Sequence, residues 1–111
     1  MGRPRVMQPD TLRSVAAASI TASYTNLGAA LTKNWAILVI KNTTDKTLFV
    51  SENGTNDHYE IPSGGVDVLD LQSNGRDGDF AHKKIGTQFS VKGVTGDLPT
   101  FGKVILQGQY V

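Results

Sequence analysis

The chain contains no cysteine. This excludes a disulfide framework, thiolate-bound zinc, iron–sulfur clusters and a cysteine nucleophile together. Glutamate is scarce as well, present only at Glu52 and Glu60 among 111 residues. A helix bundle or coiled coil of this length draws on far more Glu, Lys, Leu and Ala, so that class is set aside. Long apolar runs are missing: the longest, Trp35 to Ile40, spans six residues, against the ~20 that a membrane helix needs. The opening Met-Gly-Arg-Pro-Arg-Val has the charge of a signal peptide. Gln8, Pro9, Asp10 and Arg13 then deny it an apolar stretch, so the expected product is made in the cytoplasm and unanchored. Charge of one sign is also lacking. Eleven Lys/Arg stand against ten Asp/Glu, a net +1, beside 39% hydrophobic residues. That balance fits neither a disordered chain nor a nucleic-acid surface, and the lysines are not grouped with aromatics.

What the chain has in quantity is β-branched. Ten Val, six Ile and eleven Thr are stiff at χ1 and suit a pleated surface. From about residue 19 the pattern repeats every two residues, with turn signals between the runs. Ile20, Ala22 and Tyr24 alternate with Ser and Thr. Trp35-Ala36-Ile37-Leu38-Val39-Ile40 is apolar at every position and reads as a central strand covered on both faces. Asn42 to Lys46 reads as a tight turn, from which Thr47–Ser51 runs back to form a hairpin. Asn53-Gly54 marks a second turn. His58–Ile61, Val66–Leu71, Ile85–Val91 and Gly102–Gln107 complete about seven strands, with a polar Gly- and Asp-rich loop over 73–84. The spacing predicts an all-β fold, an antiparallel β-sandwich or jelly-roll-like barrel, over residues 19–111.

Residues 1–18 read as an extended N-terminal arm. Arg3, Arg5 and Arg13 face a single acid, Asp10, while the rest of the chain carries eight cations against nine acids. Pro4 and Pro9 hold the arm away from regular structure. Val6, Met7, Leu12 and Val15 supply apolar anchors that a purely solvated tail does not need, and Thr11 is placed to cap a short helix over Ser14–Ala18. The expectation is an arm that orders on a partner, with Arg3, Arg5, Val6, Met7, Leu12 and Arg13 making the contact.

Catalytic constellations are not visible. His58 and His82 have no ligand spacing around them and read as hydrogen-bonded surface residues. Asn74-Gly75-Arg76-Asp77-Gly78-Asp79 lacks the alternating acids and final Glu of a calcium loop, and lacks the Lys-Ser/Thr of a phosphate loop. No Gly-x-Ser-x-Gly elbow exists. Trp35 and Tyr24 read as core or sheet-edge packing rather than as a sugar platform. The chain is expected to be no enzyme and to need no metal or cofactor, and neither nucleic acid nor membrane is expected as a partner.

Several stretches together form a recurring pattern: Tyr24-Thr25-Asn26-Leu27-Gly28, Ile37 to Asp45, Phe49 to His58, Ile61-Pro62-Ser63-Gly64-Gly65, and Gly86 to Gly93. This pattern resembles small structural proteins of short-tailed bacteriophages, and among them the capsid decoration proteins called cement or staple proteins. It covers about residues 24–93, and its motifs are turn chemistry rather than site chemistry. Where family members often carry Phe-Asp-Gly in the second turn, this chain has Ser51-Glu52-Asn53-Gly54. The resemblance implies a jelly-roll-like sandwich on the outer capsid surface of a virion. It implies the major capsid protein as partner and self-association as a homodimer. A tail or collar subunit and a carbohydrate-binding sandwich are the alternatives.

Overall fold

The computed structural model describes residues 7–70 and 83–110. Its elements are β1 (Gln8–Pro9), β2 (Arg13–Ala16), a 3-10 turn (Ala17–Ser19), β3 (Thr25–Asn26), β4 (Trp35–Asn42), β5 (Leu48–Ser51), β6 (Tyr59–Ile61), β7 (Val66–Asp70), β8 (Ser90–Gly93) and β9 (Lys103–Tyr110). They form two antiparallel sheets. The first runs β1-β9-β4-β7, with β2 also paired to β9; the second runs β3-β8-β5-β6. The chain is an all-β sandwich. Between the sheets lie Trp35, Leu38 and Ile40 of β4, Val104 and Leu106 of β9, Leu48 and Val50 of β5, Ile61, Val91, Phe89, Leu27 and Leu31, all fully buried. Trp35 and Phe89 stack with ring centroids 6.2 Å apart, an offset aromatic pair at the centre of the core.

The strand count among the described residues is nine, two more than the spacing suggested, because the N-terminal segment joins the sheet. Gln8 and Pro9 pair with Tyr110 and Gln109, and Arg13 to Ala16 pair with Leu106 to Lys103. The expected helix over Ser14–Ala18 is replaced by β2 and a single 3-10 turn. The physical reason is the edge of β9. Its backbone would otherwise face solvent unpaired along that side, and the segment supplies the missing partners. Val15 and Ala17 are buried in the process.

Three further expectations are corrected. Residues 20–24 form no strand, although the Thr21 carbonyl accepts a backbone hydrogen bond from Gly93. Regular strand over Ile85–Val91 is confined to β8, although Phe89 and Thr87 still accept backbone hydrogen bonds from Leu27 and Leu31. The turn after β4 does not close a hairpin, because β4 and β5 lie in different sheets. Asn42 makes that crossing. Its buried amide Nδ2 donates to the carbonyls of Lys46 (2.8 Å) and Ile61 (2.9 Å). Its Oδ1 accepts from the Thr44 amide (2.9 Å) and hydroxyl (2.6 Å). A buried amide with every partner supplied fixes a corner as firmly as a backbone ladder does. The Asn53-Gly54 turn does close a hairpin, joining β5 to β6, with Gly54 at φ +73°.

Candidate binding surface

β4 carries two different faces. Trp35, Leu38 and Ile40 point into the core, and the alternate positions Ile37, Val39 and Lys41 point away from it, half-buried. The pleat carries this alternation across the sheet. Val39 lies opposite Val68 and Gln107; Lys41 lies opposite Val66 and Ile105. Val66 and Val68 are each 57% exposed, and Leu12 is 60% exposed. The expectation that Trp35–Ile40 is covered on both faces therefore holds for one face only. The outer face of this sheet carries an apolar stripe beside Lys41, Gln107 and Gln109, and its β7 valines are left uncovered among the described residues.

Two irregularities open a hollow in that stripe. On β4 the register with β9 shifts between Trp35 and Ile37. On the other side of β9, Pro9 pairs with Gln109 but Arg13 with Leu106, so Asp10 to Leu12 bulge against Gly108 and Gln107. Bulges bend the strand and re-aim the side chains they carry. Between these two lies a hollow of about 290 Å³ lined by Pro9, Asp10, Leu12, Ile37, Val39 and the stretch Gln107–Gln109.

The bulges also send groups inward. Asp10 accepts a hydrogen bond from the indole Nε1 of Trp35 at 2.8 Å, which satisfies the one polar atom of a fully buried ring. Arg13 stands 3.6 Å from the Asp10 carboxylate and 5.1 Å from the centre of the Trp35 ring. It donates to the carbonyls of Ala29 (2.9 Å) and Thr11 (3.0 Å). Burial alone raises the Asp10 pKa, but the bonds from Trp35, Thr11 and Arg13 outweigh it and leave the carboxyl below its ordinary value. Gly108 must lack a side chain: a Cβ there would sit 2.0 Å from the indole.

Of the six residues expected to contact a partner, Arg3, Arg5 and Val6 lie outside the described residues. Met7 is half-buried just before β1. Leu12 stands on the hollow. Arg13 does not reach outward; its guanidinium is committed to Asp10, Trp35 and two backbone carbonyls of its own chain. Periodicity finds β4 but not the outward role of Ile37 and Val39, because an uninterrupted apolar run looks the same whether one face or two are covered.

The outer face of the second sheet is built differently. Phe49 lies opposite Lys92 and Glu60. The Lys92 ammonium sits 4.8 Å from the Tyr24 ring centre, 6.0 Å from that of Phe49, and 3.1 Å from the Asp57 carboxylate. Tyr24 donates its hydroxyl to Asp57. Desolvation and the Asp57 carboxylate push the Tyr24 pKa up, while the bonds from Tyr24 and Lys92 hold Asp57 below the usual range. On the opposite side, toward the first sheet, Glu52 takes hydrogen bonds from Tyr59, which packs against the core, and, at 2.8 Å, from Lys83, which is bridged to Trp35. His58 Nδ1 accepts from the Glu52 amide at 3.0 Å. The rings a sugar would stack on are already capped by Lys92.

A second apolar feature is not legible in the sequence. The loop from Val94 to Phe101, just before β9, exposes Val94, Leu98 and, at 65%, Phe101. It is held rigidly. Asp45 accepts from the Thr100 amide (2.8 Å) and hydroxyl (2.7 Å), and Lys46 pairs with Asp97 at 2.9 Å. Those bonds from Thr100 depress the Asp45 pKa to about 2. Gly102, at φ +85°, packs so closely on the Thr43 carbonyl that a Cβ would sit 2.1 Å from it.

No buried side-chain polar atom among the described residues lacks a hydrogen-bond partner, and no three His, Asp or Glu converge there. The arrangement offers contact surfaces: an apolar face with a hollow, and a clamped apolar loop. No protein-family model, no curated protein and no solved structure matches the chain.

Proposed function

We propose that the chain is a virion structural protein: a decoration, or staple, protein that binds the outside of a short-tailed phage capsid shell and clamps neighbouring major capsid proteins, self-associating as a homodimer. The observation that carries this reading is the apolar stripe on the outer face of the first sheet, Ile37, Val39, Val66 and Val68 with Leu12 across the hollow, which is left open among the described residues. Isolated exposed apolar residues are ordinary on any protein, but a contiguous stripe marks a contact surface. A clamp also needs a second point of grip, and the Val94–Phe101 loop provides one. The order of strands adds support for the jelly-roll reading. Strands β2, β9, β4 and β7 in one sheet face β3, β8, β5 and β6 in the other, the arrangement of two interlocked Greek keys.

The test is reconstitution. Shells lacking this protein, incubated with the purified chain, are imaged by cryo-electron microscopy. The expected map has density outside the shell at junctions between capsid subunits, with the first sheet turned toward them. Val68→Glu abolishes that density while the variant stays folded. A map that places the chain in the tail or collar, or full decoration by the variant, overturns the reading.

A further inference from the structure

We infer that Ser51 guards the Asn53-Gly54 peptide against spontaneous deamidation, so that the turn between β5 and β6 is a modification site held shut by the fold. The inference goes beyond the staple reading and does not rest on it.

An asparagine followed by glycine is the pairing most prone to this reaction, because glycine has no Cβ to obstruct ring closure. The Gly54 nitrogen loses its proton and attacks Cγ of Asn53. The new N–Cγ bond closes a succinimide ring as the Cγ–Nδ2 bond breaks, and Nδ2 leaves as ammonia, carrying away a proton in place of the one Gly54 gave up. One water then opens the ring at either of its C–N bonds, to aspartate or to isoaspartate. Water is the only co-reactant, and both Asn53 and Gly54 are exposed to it.

What the solvent meets is a turn already tied down. Ser51 lies beneath it, 0% exposed. Its Oγ accepts the Gly54 N–H at 2.9 Å and the Asn53 N–H at 3.1 Å, and donates to Asn53 Oδ1 at 2.9 Å. The proton that must leave before the ring can close is the one directed at this buried hydroxyl. Oδ1 also takes the amide protons of Thr55 and Asn56, each at 2.9 Å, which hold the side chain in place. Gly54 sits at φ +73°, so the turn cannot exchange its glycine for a slower-reacting residue without strain. Protection has to come from a neighbour, and Ser51 is placed to give it.

The fold has a stake in that protection. Aspartate keeps an acceptor oxygen on the same side chain. Isoaspartate routes the main chain through Cβ and adds a methylene to the turn. That turn sets the register in which Leu48, Phe49 and Val50 face Ile61, Glu60 and Tyr59.

The experiment incubates the full chain in neutral buffer and follows Asn53 by peptide mapping and mass spectrometry, folded and unfolded in guanidinium chloride. The folded parent is expected to lose Asn53 about a hundredfold more slowly than the unfolded chain, the factor that two hydrogen bonds of ~1.4 kcal/mol supply. Ser51→Ala recovers about tenfold of that. Hydrogen exchange of the Gly54 amide reads the same proton: it is protected in the parent and opens in Ser51→Ala. Val104→Ala separates the guard from general stability. It cuts a buried side chain of β9, in the other sheet, and is expected to lower the melting temperature while keeping the parent's deamidation rate. The two measurements on the parent stand whether or not Ser51→Ala folds. Equal loss of Asn53 in the folded and unfolded parent, an unprotected Gly54 amide, a folded Ser51→Ala that deamidates no faster, or equal acceleration by Val104→Ala overturns the inference.

Discussion

The two outer faces of the sandwich meet the same solvent with opposite chemistry. On the second sheet's outer face, Tyr24, Lys92 and Asp57 engage one another. These polar groups find their partners within their own chain, and the aromatic rings are capped by Lys92. The first sheet leaves Ile37, Val39, Ile105, Val66 and Val68 facing outward without a cover among the described residues. A sheet with one solvated face normally alternates apolar-in, polar-out. The second sheet follows that rule except at Phe49, which lies under Lys92, and the first departs from it over Ile37, Val39, Ile105, Val66 and Val68. The breach coincides with two bulges that hollow the surface, and the proposed capsid contact rests on it.

The sharpest way to break this comparison is to cut neighbouring residues of β4 that face opposite ways. Leu38 is 1% exposed and belongs to the core. Leu38→Ala removes buried methyl groups and leaves a cavity, at a cost of about 2–5 kcal/mol. Val39, one residue on, is half-buried over the hollow. Val39→Ala costs ~1 kcal/mol or less, since most of what it loses is already near water. Urea titrations of both variants decide the matter. Equal costs would mean that the outer face is sealed and the hollow is not a surface.

A smaller contrast lies on the N-terminal bulge, where Asp10 turns inward and Leu12 outward. Asp10→Ala strips the acceptor from a buried indole N–H and the carboxylate from Arg13. Leaving a buried donor unpaired costs about 1–3 kcal/mol. Leu12→Ala, at an exposed site, stays within about 0.5 kcal/mol of the parent while weakening whatever sits in the hollow. Thermal melts of the pair separate the roles. An Asp10→Ala variant as stable as the parent would show that the Trp35 hydrogen bond is not what ties the N-terminal segment down.

How much of this is legible in the sequence depends on what each signal measures. Alternation and β-branching locate β4, β5, β6, β7 and β9, because those depend on side chains meeting a pleated surface. The same signals cannot assign strands to sheets. The Asn42 corner looks like a hairpin turn until its side chain is seen bonded to Lys46 and Ile61 across the sandwich. Nor can they say where the N-terminal segment goes. Prolines and scattered charge describe a chain without its own regular structure, yet pairing with β9 needs only backbone groups, which carry no sequence label. Leu12 stands out in the sequence for its apolarity and does stand on the hollow. Arg13 stands out for its charge and is spent on Trp35. Phe101 gives no sequence signal, because what places its loop is Asp45 and Lys46, more than fifty residues away.

The smallest expected effect tests the polar face by pH, through the Tyr24–Asp57 pair. Asp57 has its pKa lowered first by the Tyr24 hydroxyl and then by Lys92, from an ordinary value of 3.8. A lowered carboxyl contributes stability that is present above its unfolded value and fades as pH falls through the folded one. Tyr24 is raised, by desolvation first and then by Asp57, from an ordinary value of 10.0. Its contribution is present below that value and fades as pH rises through the folded one. The stability difference between the parent and Tyr24→Phe is therefore expected to be flat from about pH 5 to pH 9 and to shrink at either extreme. It should be slight throughout, because exposed pairs are screened by solvent. Carbon-detected NMR of the carboxyls gives the cleaner reading: in Tyr24→Phe the Asp57 titration moves upward, toward the ordinary range, while Asp45, held by Thr100 at the far loop, stays at about 2. Val68→Thr, on the apolar face, changes neither titration. If Asp57 titrates at the same pH with and without the Tyr24 hydroxyl, the polar face is not a bonded network but a set of separately solvated charges, and the contrast between the two faces reduces to composition alone.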